Sequence, residues 1–353
     1  MNDSSTPTPL TTRQKIRHAL LAAISIAIAA IVIVWLIPRA VDTSWEHIFA
    51  SFDGISWWWI LFLIFVALVV LAIDSVGFAA CFRGVGLRVA SETNAIAQAV
   101  TVVVPMGSTI SLGLIYARLK RAGLGIKRIA SGTLLASLAD ILAQILLPIL
   151  AVALVALSPL DIPLWGRIAL VVAAAIALAL TCAALGFLSS EKLLRSLLVR
   201  VQKVVDAFNE GFGGQSRDLV SPALDTRKMA VTDAHGSRVL ILGAPTLARL
   251  AQGFAFIAWC MLGYGFEISP LVLFGIYALS RLLSLIPLTP GGIGVIDVGV
   301  AWALVQCGAP SAAAVSCALA FTLSQVLTPA LAGALAIPIG VRDAEADAKT
   351  RRA

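Results

Sequence analysis

AIAQAVTVVVPMGSTISLGLIY, Ala95 to Tyr116, is long enough to cross a bilayer, but Pro105, Met106, Gly107 and Ser108 interrupt it at its centre. Whether it crosses decides the orientation of everything that follows. Proline removes a backbone donor and clashes with the preceding turn. At membrane depth such a break is tolerated only where protein or a cavity satisfies the freed backbone. If the stretch is a re-entrant hairpin, all but four of the 26 Lys and Arg residues fall on the cytoplasmic side. The exceptions are Arg39 and Arg167 outside, and Arg249 and Arg281 within the membrane. If it spans, most of the later ones are stranded outside. Basic residues concentrate in cytoplasmic loops, so the hairpin is the expected form.

Working outward, further apolar segments cover 19–37, 55–80, 129–157, 167–188, 239–263, 271–307 and 312–339. Ala19 to Ile37 carries no charge, and Ile60 to Ala80 only Asp74. Both reach the roughly 20 residues that a helix needs to cross the hydrocarbon. Arg13, Lys15 and Arg17 precede the first run, which reads as a retained span because no A-x-A cleavage site follows. The 271–307 segment is broken by PLTPGGIG, Pro287 to Gly294, into arms too short to cross, and in this topology it enters from the outside. One broken element from each side, in corresponding positions of two halves, is the pattern of inverted-repeat transporters. The expected fold is therefore all-α: a polytopic helical bundle with about six full spans, two broken re-entrant hairpins and an inverted repeat. Residues 1–18 and 341–353 form cytoplasmic tails around a transmembrane domain at 19–340, and 189–238 is its cytoplasmic loop. The start of that loop, EKLLRSLLVRVQKVVDAF, carries one apolar stripe and reads either as an interfacial helix or as an extension of the preceding span.

Composition agrees. Of 353 residues, 59% are hydrophobic and 13% charged, against about 25% charged in a soluble domain. No polar interval is long enough for a soluble catalytic domain. The net charge of +7 suits anionic headgroups and membrane orientation, not nucleic acid. Cys81, Cys182, Cys260, Cys307 and Cys317 are scattered, and His18, His47 and His235 lie far apart. No metal site and no cofactor is expected.

A charge at the bilayer centre costs at least about 2.5–3.5 kcal/mol on insertion scales, so each needs a partner or a wet cavity. Asp74, Asp140, Arg249, Arg281 and Asp297 are the candidates. Asp74 is expected to pair with a loop residue such as Arg83. Arg281 and Asp297 flank the Pro287–Gly294 break. Arg281 is placed either to clamp a lipid phosphate bidentately or to hold Asp297 in a permanent salt bridge. Pro290, Gly291, Gly292 and Gly294 either bring backbone amides to an anion or simply allow tight packing. Arg249, with Gln252 one turn on, either faces the same cavity or snorkels to the cytoplasm. Asp140 and Gln144, four residues apart, share a helix face, as a headgroup path or as a helix–helix contact. Tyr116 is a candidate headgroup contact or an interface anchor.

RLLSLIPLTPGGIGVID, Arg281 to Asp297, resembles the signature of the lysylphosphatidylglycerol synthase membrane-domain family, also called the flippase-like domain family. There an Arg precedes an apolar stretch, then P-x-x-P-G-G-x-G and an acidic residue. VPMGS with YARLKRAG, Tyr116 to Gly123, resembles the family's weaker N-terminal motif, and the likeness extends over roughly 15–340. Asp297 stands where the family usually has Glu. The soluble aminoacyl-transferase half of bifunctional members has no counterpart here, so lysine transfer is not expected. The resemblance implies lipid translocation or the handling of lipid-linked intermediates.

The leading expectation is a flippase or scramblase, not an enzyme, in the cell's inner or plasma membrane. Its substrate is expected to be an anionic phospholipid or a polyprenyl-phosphate-linked glycan. The alternatives are a non-catalytic membrane partner of a glycosyltransferase and a membrane enzyme on lipid-linked intermediates. The second would want a D-x-D or paired carboxylates, and only the tail sequence DAEAD, Asp343 to Asp347, comes near. A homodimer is a further partner that the sequence leaves open.

Overall fold

Ten helices make up the described residues, 43–104, 107–156, 164–189, 237–284 and 294–350, of a computed structural model of the chain. They are α1 (Trp45–Ala50), α2 (Trp57–Cys81), α3 (Leu87–Val103), α4 (Gly107–Arg121) and α5 (Ile126–Ala156). The second group is α6 (Leu164–Ser189), α7 (Arg238–Ala258, closed by a π-turn at Trp259–Gly263), α8 (Pro270–Leu283), α9 (Val295–Gln306) and α10 (Ser311–Thr350). No strand occurs among the described residues. The first apolar run, the amphipathic start of the 189–238 loop, and Pro287, Pro290, Gly291 and Gly292 lie outside them.

Four helical stretches are long and apolar enough to cross a membrane: Trp57–Cys81, Ile126–Leu154, Arg238–Gly263 and Ser311–Ala336. Their outward faces carry large apolar side chains in the open, such as Phe65, Leu68, Phe254 and Leu335. In water that surface would drive association; in hydrocarbon it is the solvated face.

The chain is interrupted where prolines break the apolar stretches. α3 stops at Val103, and α4 resumes at Gly107, whose amide donates to Val104 O at 2.8 Å. The arms are longer than the apolar pattern suggests, 17 and 15 residues. The polar sequence LRVASETN, Leu87 to Asn94, is helical as well. Glu92 explains this, because it accepts from Arg88 Nε at 3.1 Å and from Arg118 Nη2 at 2.9 Å, tying the start of α3 to the end of α4. α8 and α9 form the second broken pair, with 14 and 12 residues. α10 also outruns its apolar stretch and stays helical through Thr350.

The packing pairs have a regular form. α2 packs on α7, and both α3 on α10 and α8 on α5 are major contacts. α2 touches α3 and α10, while α7 touches α8 and α5. Exchanging α2 with α7, α3 with α8, α4 with α9 and α5 with α10 maps each of these contacts onto another. Two apolar cores cap the bundle. One gathers Leu63, Leu147, Phe256, Trp259, Tyr277 and Leu304; the other gathers Cys81, Phe82, Leu119, Ile129 and Ile241. Along α2, α5 and α7 the stretch between these cores is where Asp74, Asp140 and Arg249 fall.

Gly333 sets how closely α3 meets α10. A Cβ there would collide with the Ala99 Cβ and stand 3.0 Å from Ala95 O. Gly333→Ile is expected to cost about 1–3 kcal/mol through overpacking and to lower the midpoint of thermal unfolding in detergent. An unchanged midpoint would show that α3 does not rest on α10.

Candidate functional site

Arg249 is the centre of the polar layer. Its Nη2 lies 2.7 Å from Asp140 Oδ1 on α5 and 3.4 Å from Asp74 Oδ2 on α2, and its Nη1 donates to Gln252 Oε1 at 3.1 Å. The side chain is 14% exposed, so it is held inside the bundle and does not snorkel. Asp74 therefore pairs with Arg249, 175 residues away, and not with Arg83. Asp140 and Gln144 do share a face, with Gln144 Nε2 donating to Asp140 Oδ2 at 2.8 Å. Their face is turned to Arg249 and to α8, where Ser284 Oγ donates to Gln144 Oε1 at 3.3 Å. Gln252 Nε2 donates to Gln325 Oε1 on α10 at 2.7 Å, and Tyr277 OH on α8 has Arg249 O and Gln252 Oε1 as acceptors for its one hydrogen, at 2.9 and 3.1 Å. Five helices are joined by one chain of hydrogen bonds. Such a network is rigid when fully satisfied, because low local dielectric strengthens each bond and penalises each gap.

Arg281 sits differently. It lies in the last turn of α8, with its guanidinium carbon 5.4 Å from the centre of the Tyr277 ring. Its Nε is buried and has no hydrogen-bond partner among the described residues. Leaving such a donor unmatched costs about 1–3 kcal/mol, more for a charged group. Among the described residues no ion pair joins Arg281 to Asp297. The carboxylate of Asp297, 2% exposed, is engaged elsewhere: Oδ2 accepts from Gly294 N at 2.9 Å and Oδ1 from Thr322 Oγ1 at 2.6 Å. It caps its own helix and ties α9 to α10. Gly294 has φ +90°, a conformation open mainly to glycine.

Both arginines line one cavity of about 240 Å³, with Asp74, Gln98, Gln144 and Gln252 among its polar walls and Ser284, Thr322 and Gln325 completing them. It is the middle of three. Along α2, Ile60, Leu63 and Ile64 line an apolar cavity of about 500 Å³ that reaches Asp297. Ala67 to Asp74 line the middle one, and Asp74 to Cys81 a third of about 450 Å³. Thr322 and Val326 are shared by the first two, and Asp74, Gln98, Val102 and Arg249 by the last two. Tyr116 joins none of them. It packs against the Phe82–Leu119 core, with Lys120 Nζ 5.4 Å from its ring centre.

The family model described as the lysylphosphatidylglycerol synthase TM region matches residues 22–333. The chain belongs to this family. No curated protein and no solved structure matches it. The match covers the membrane region of a lysylphosphatidylglycerol synthase and takes in both broken helix pairs and all three cavities. Five site residues were missed in the sequence: Gln98, Tyr277, Ser284, Thr322 and Gln325. The signal for two of them was present, since a glutamine inside an apolar run is costly without a partner.

Arg249→Met would strand Asp74 and Asp140 without their cation. The expected loss is about 3–5 kcal/mol, the range for breaking a buried ion pair from one side, read as a sharply lower melting point of the detergent-solubilised protein. A melting point equal to wild type would mean that the cluster is not buried in the membrane.

Proposed function

We propose that the protein translocates an anionic lipid across the cell's inner or plasma membrane, with the lipid phosphate received by Arg281. The observation that carries this reading is that Arg281 lines a polar cavity while its buried Nε has no hydrogen-bond partner among the described residues. Asp297 is engaged with Gly294 and Thr322, so among the described residues no carboxylate pairs with this guanidinium. Arginine presents five donors in a planar fork that matches phosphate oxygens, and the Tyr277 ring steadies the guanidinium from the side.

The succession of cavities along α2 supports passage, because it follows the helix from near its first turn to its last residue. A fourth cavity, an apolar groove of about 670 Å³ between α6, α8 and α9, adjoins the Arg281 helix and suits an acyl chain. In this reading α3–α4 and α8–α9 are broken hairpins dipping from opposite faces. Their lengths of 12 to 17 residues amount to about 18–26 Å at 1.5 Å per residue, short of the roughly 30 Å hydrocarbon core. The interchangeable packing of the two halves supports an inverted repeat, with six full spans and both termini in the cytoplasm. The chemistry is binding and release. The carboxylates of the polar layer face an arginine, a threonine or a glutamine.

In liposomes carrying a fluorescent anionic phospholipid, the wild-type protein is expected to move label between leaflets faster than empty vesicles. Arg281→Ala is expected to slow this at least tenfold while folding normally, and Arg281→Lys to fall between the two because an ammonium lacks the fork. A fully active Arg281→Ala protein would refute the assignment.

A further inference from the structure

Beyond the wall formed by Arg249 and Asp74, the cavity of about 450 Å³ is bordered by α2, α3, α4, α5 and α7. Its volume lies within the range of about 300–1,000 Å³ typical of small-molecule sites, and its chemistry differs from that of the Arg281 cavity. Thr101, Ser111 and Thr133 line it, and each spends its hydroxyl hydrogen on a carbonyl of its own helix. The bonds run to Ala97 O, Ser108 O and Ile129 O, each at 2.8 Å. A hydroxyl committed in this way offers only lone pairs to a visitor.

Asp140 adds to the same balance. Its side chain is 42% exposed, and each carboxylate oxygen carries one named partner, Arg249 or Gln144. A carboxylate has about four acceptor positions, so capacity is left over. Arg249 is committed to two carboxylates and Gln252, and Asn94 Nδ2 to Ser75 Oγ at 3.1 Å, while the hydroxyls of Ser108 and Ser137 add donors to the same lining. The lining therefore combines acceptors to spare with hydroxyl donors, and suits a ligand whose own hydroxyls both donate and accept. An ammonium group would have to share Asp140 with a guanidinium 2.7 Å away, whereas neutral hydroxyls bring no like charge to that spot.

We infer that this cavity is a second headgroup site, one that receives the polyol or sugar part of a lipid headgroup. The inference rests on the reading of the protein as a lipid translocator. It assigns the substrate class, a phospholipid with a polyhydroxylated headgroup, and it places headgroup selection at Thr101, Ser111, Thr133 and Asp140. The Arg249 wall separates selection from the phosphate site at Arg281.

Native mass spectrometry of the full chain in detergent tests it with phosphatidylinositol, phosphatidic acid and phosphatidylethanolamine as probes. Wild type is expected to retain phosphatidylinositol several-fold over the other two. In the double variant Thr101→Val, Thr133→Val, which keeps side-chain shape, the ratio of phosphatidylinositol to phosphatidic acid is expected to fall towards one. Ser111→Ala provides a second, smaller change, expected to lower the ratio in the same direction, and thermal melting verifies the fold of each. Equal retention of phosphatidylinositol and phosphatidic acid by wild type overturns the site. So does higher retention of phosphatidylethanolamine, or a ratio unaltered in both variants. A clear phosphatidylinositol preference without leaflet exchange in liposomes would defeat the transport reading and leave the second site standing. Leaflet exchange without that preference would do the reverse.

Discussion

Arg249 held between Asp74 and Asp140 is the contact on which the rest of the structure depends. Each of these charges alone would be costly in hydrocarbon. Together they can be buried, but only if α2, α5 and α7 meet at one depth. Gln252, Tyr277, Gln144 and Ser284 extend the same requirement to α8, and Gln325 extends it to α10. Helices in a bilayer have little hydrophobic reason to associate, and polar contacts and close packing take over that role. Here the polar contacts sit at mid-height, while apolar cores close the bundle on either side. The network therefore does two things: it assembles five helices, and it keeps a hydrophilic space among them.

Arg281 is meaningful against that background. One arginine of the cavity is bonded to two carboxylates and an amide, and the other keeps a buried Nε that is unmatched among the described residues. Asp297 does not serve as its partner, because it fastens the start of α9 to Thr322. The PGG motif thus has a division of labour within it. The acidic residue and Gly294 shape the re-entry of the chain into helix, and in the proposed reading the arginine is the one that meets an anion.

Much of this was legible in the residues. Pro105 and the Pro287–Gly294 run announce interrupted helices, because a proline cannot sit silently inside a span. The spacing of Asp140 and Gln144 places them on one face, and they do bond. Sequence reading failed where the answer depended on distant partners. The helical start of α3 at Leu87 is hidden because Glu92 is stabilised by Arg118, 26 residues on. Asp74 finds Arg249 across 175 residues, where the nearer Arg83 seemed the natural mate. Tyr116, read as a headgroup contact or an interface anchor, packs half-buried against the Phe82–Leu119 core. Tyr277 gave no cue at all, since a tyrosine in an apolar helix reads as packing until its hydroxyl is seen on Gln252.

The central claim is that a lipid phosphate occupies the space in front of Arg281. A cryo-electron microscopy map of the protein in nanodiscs made with anionic lipid tests this most directly. The account predicts phosphate density within hydrogen-bond distance of the Arg281 guanidinium, with Arg249 still between Asp74 and Asp140. A map with Arg281 closed onto a protein carboxylate and the cavity filled by side chains would contradict it.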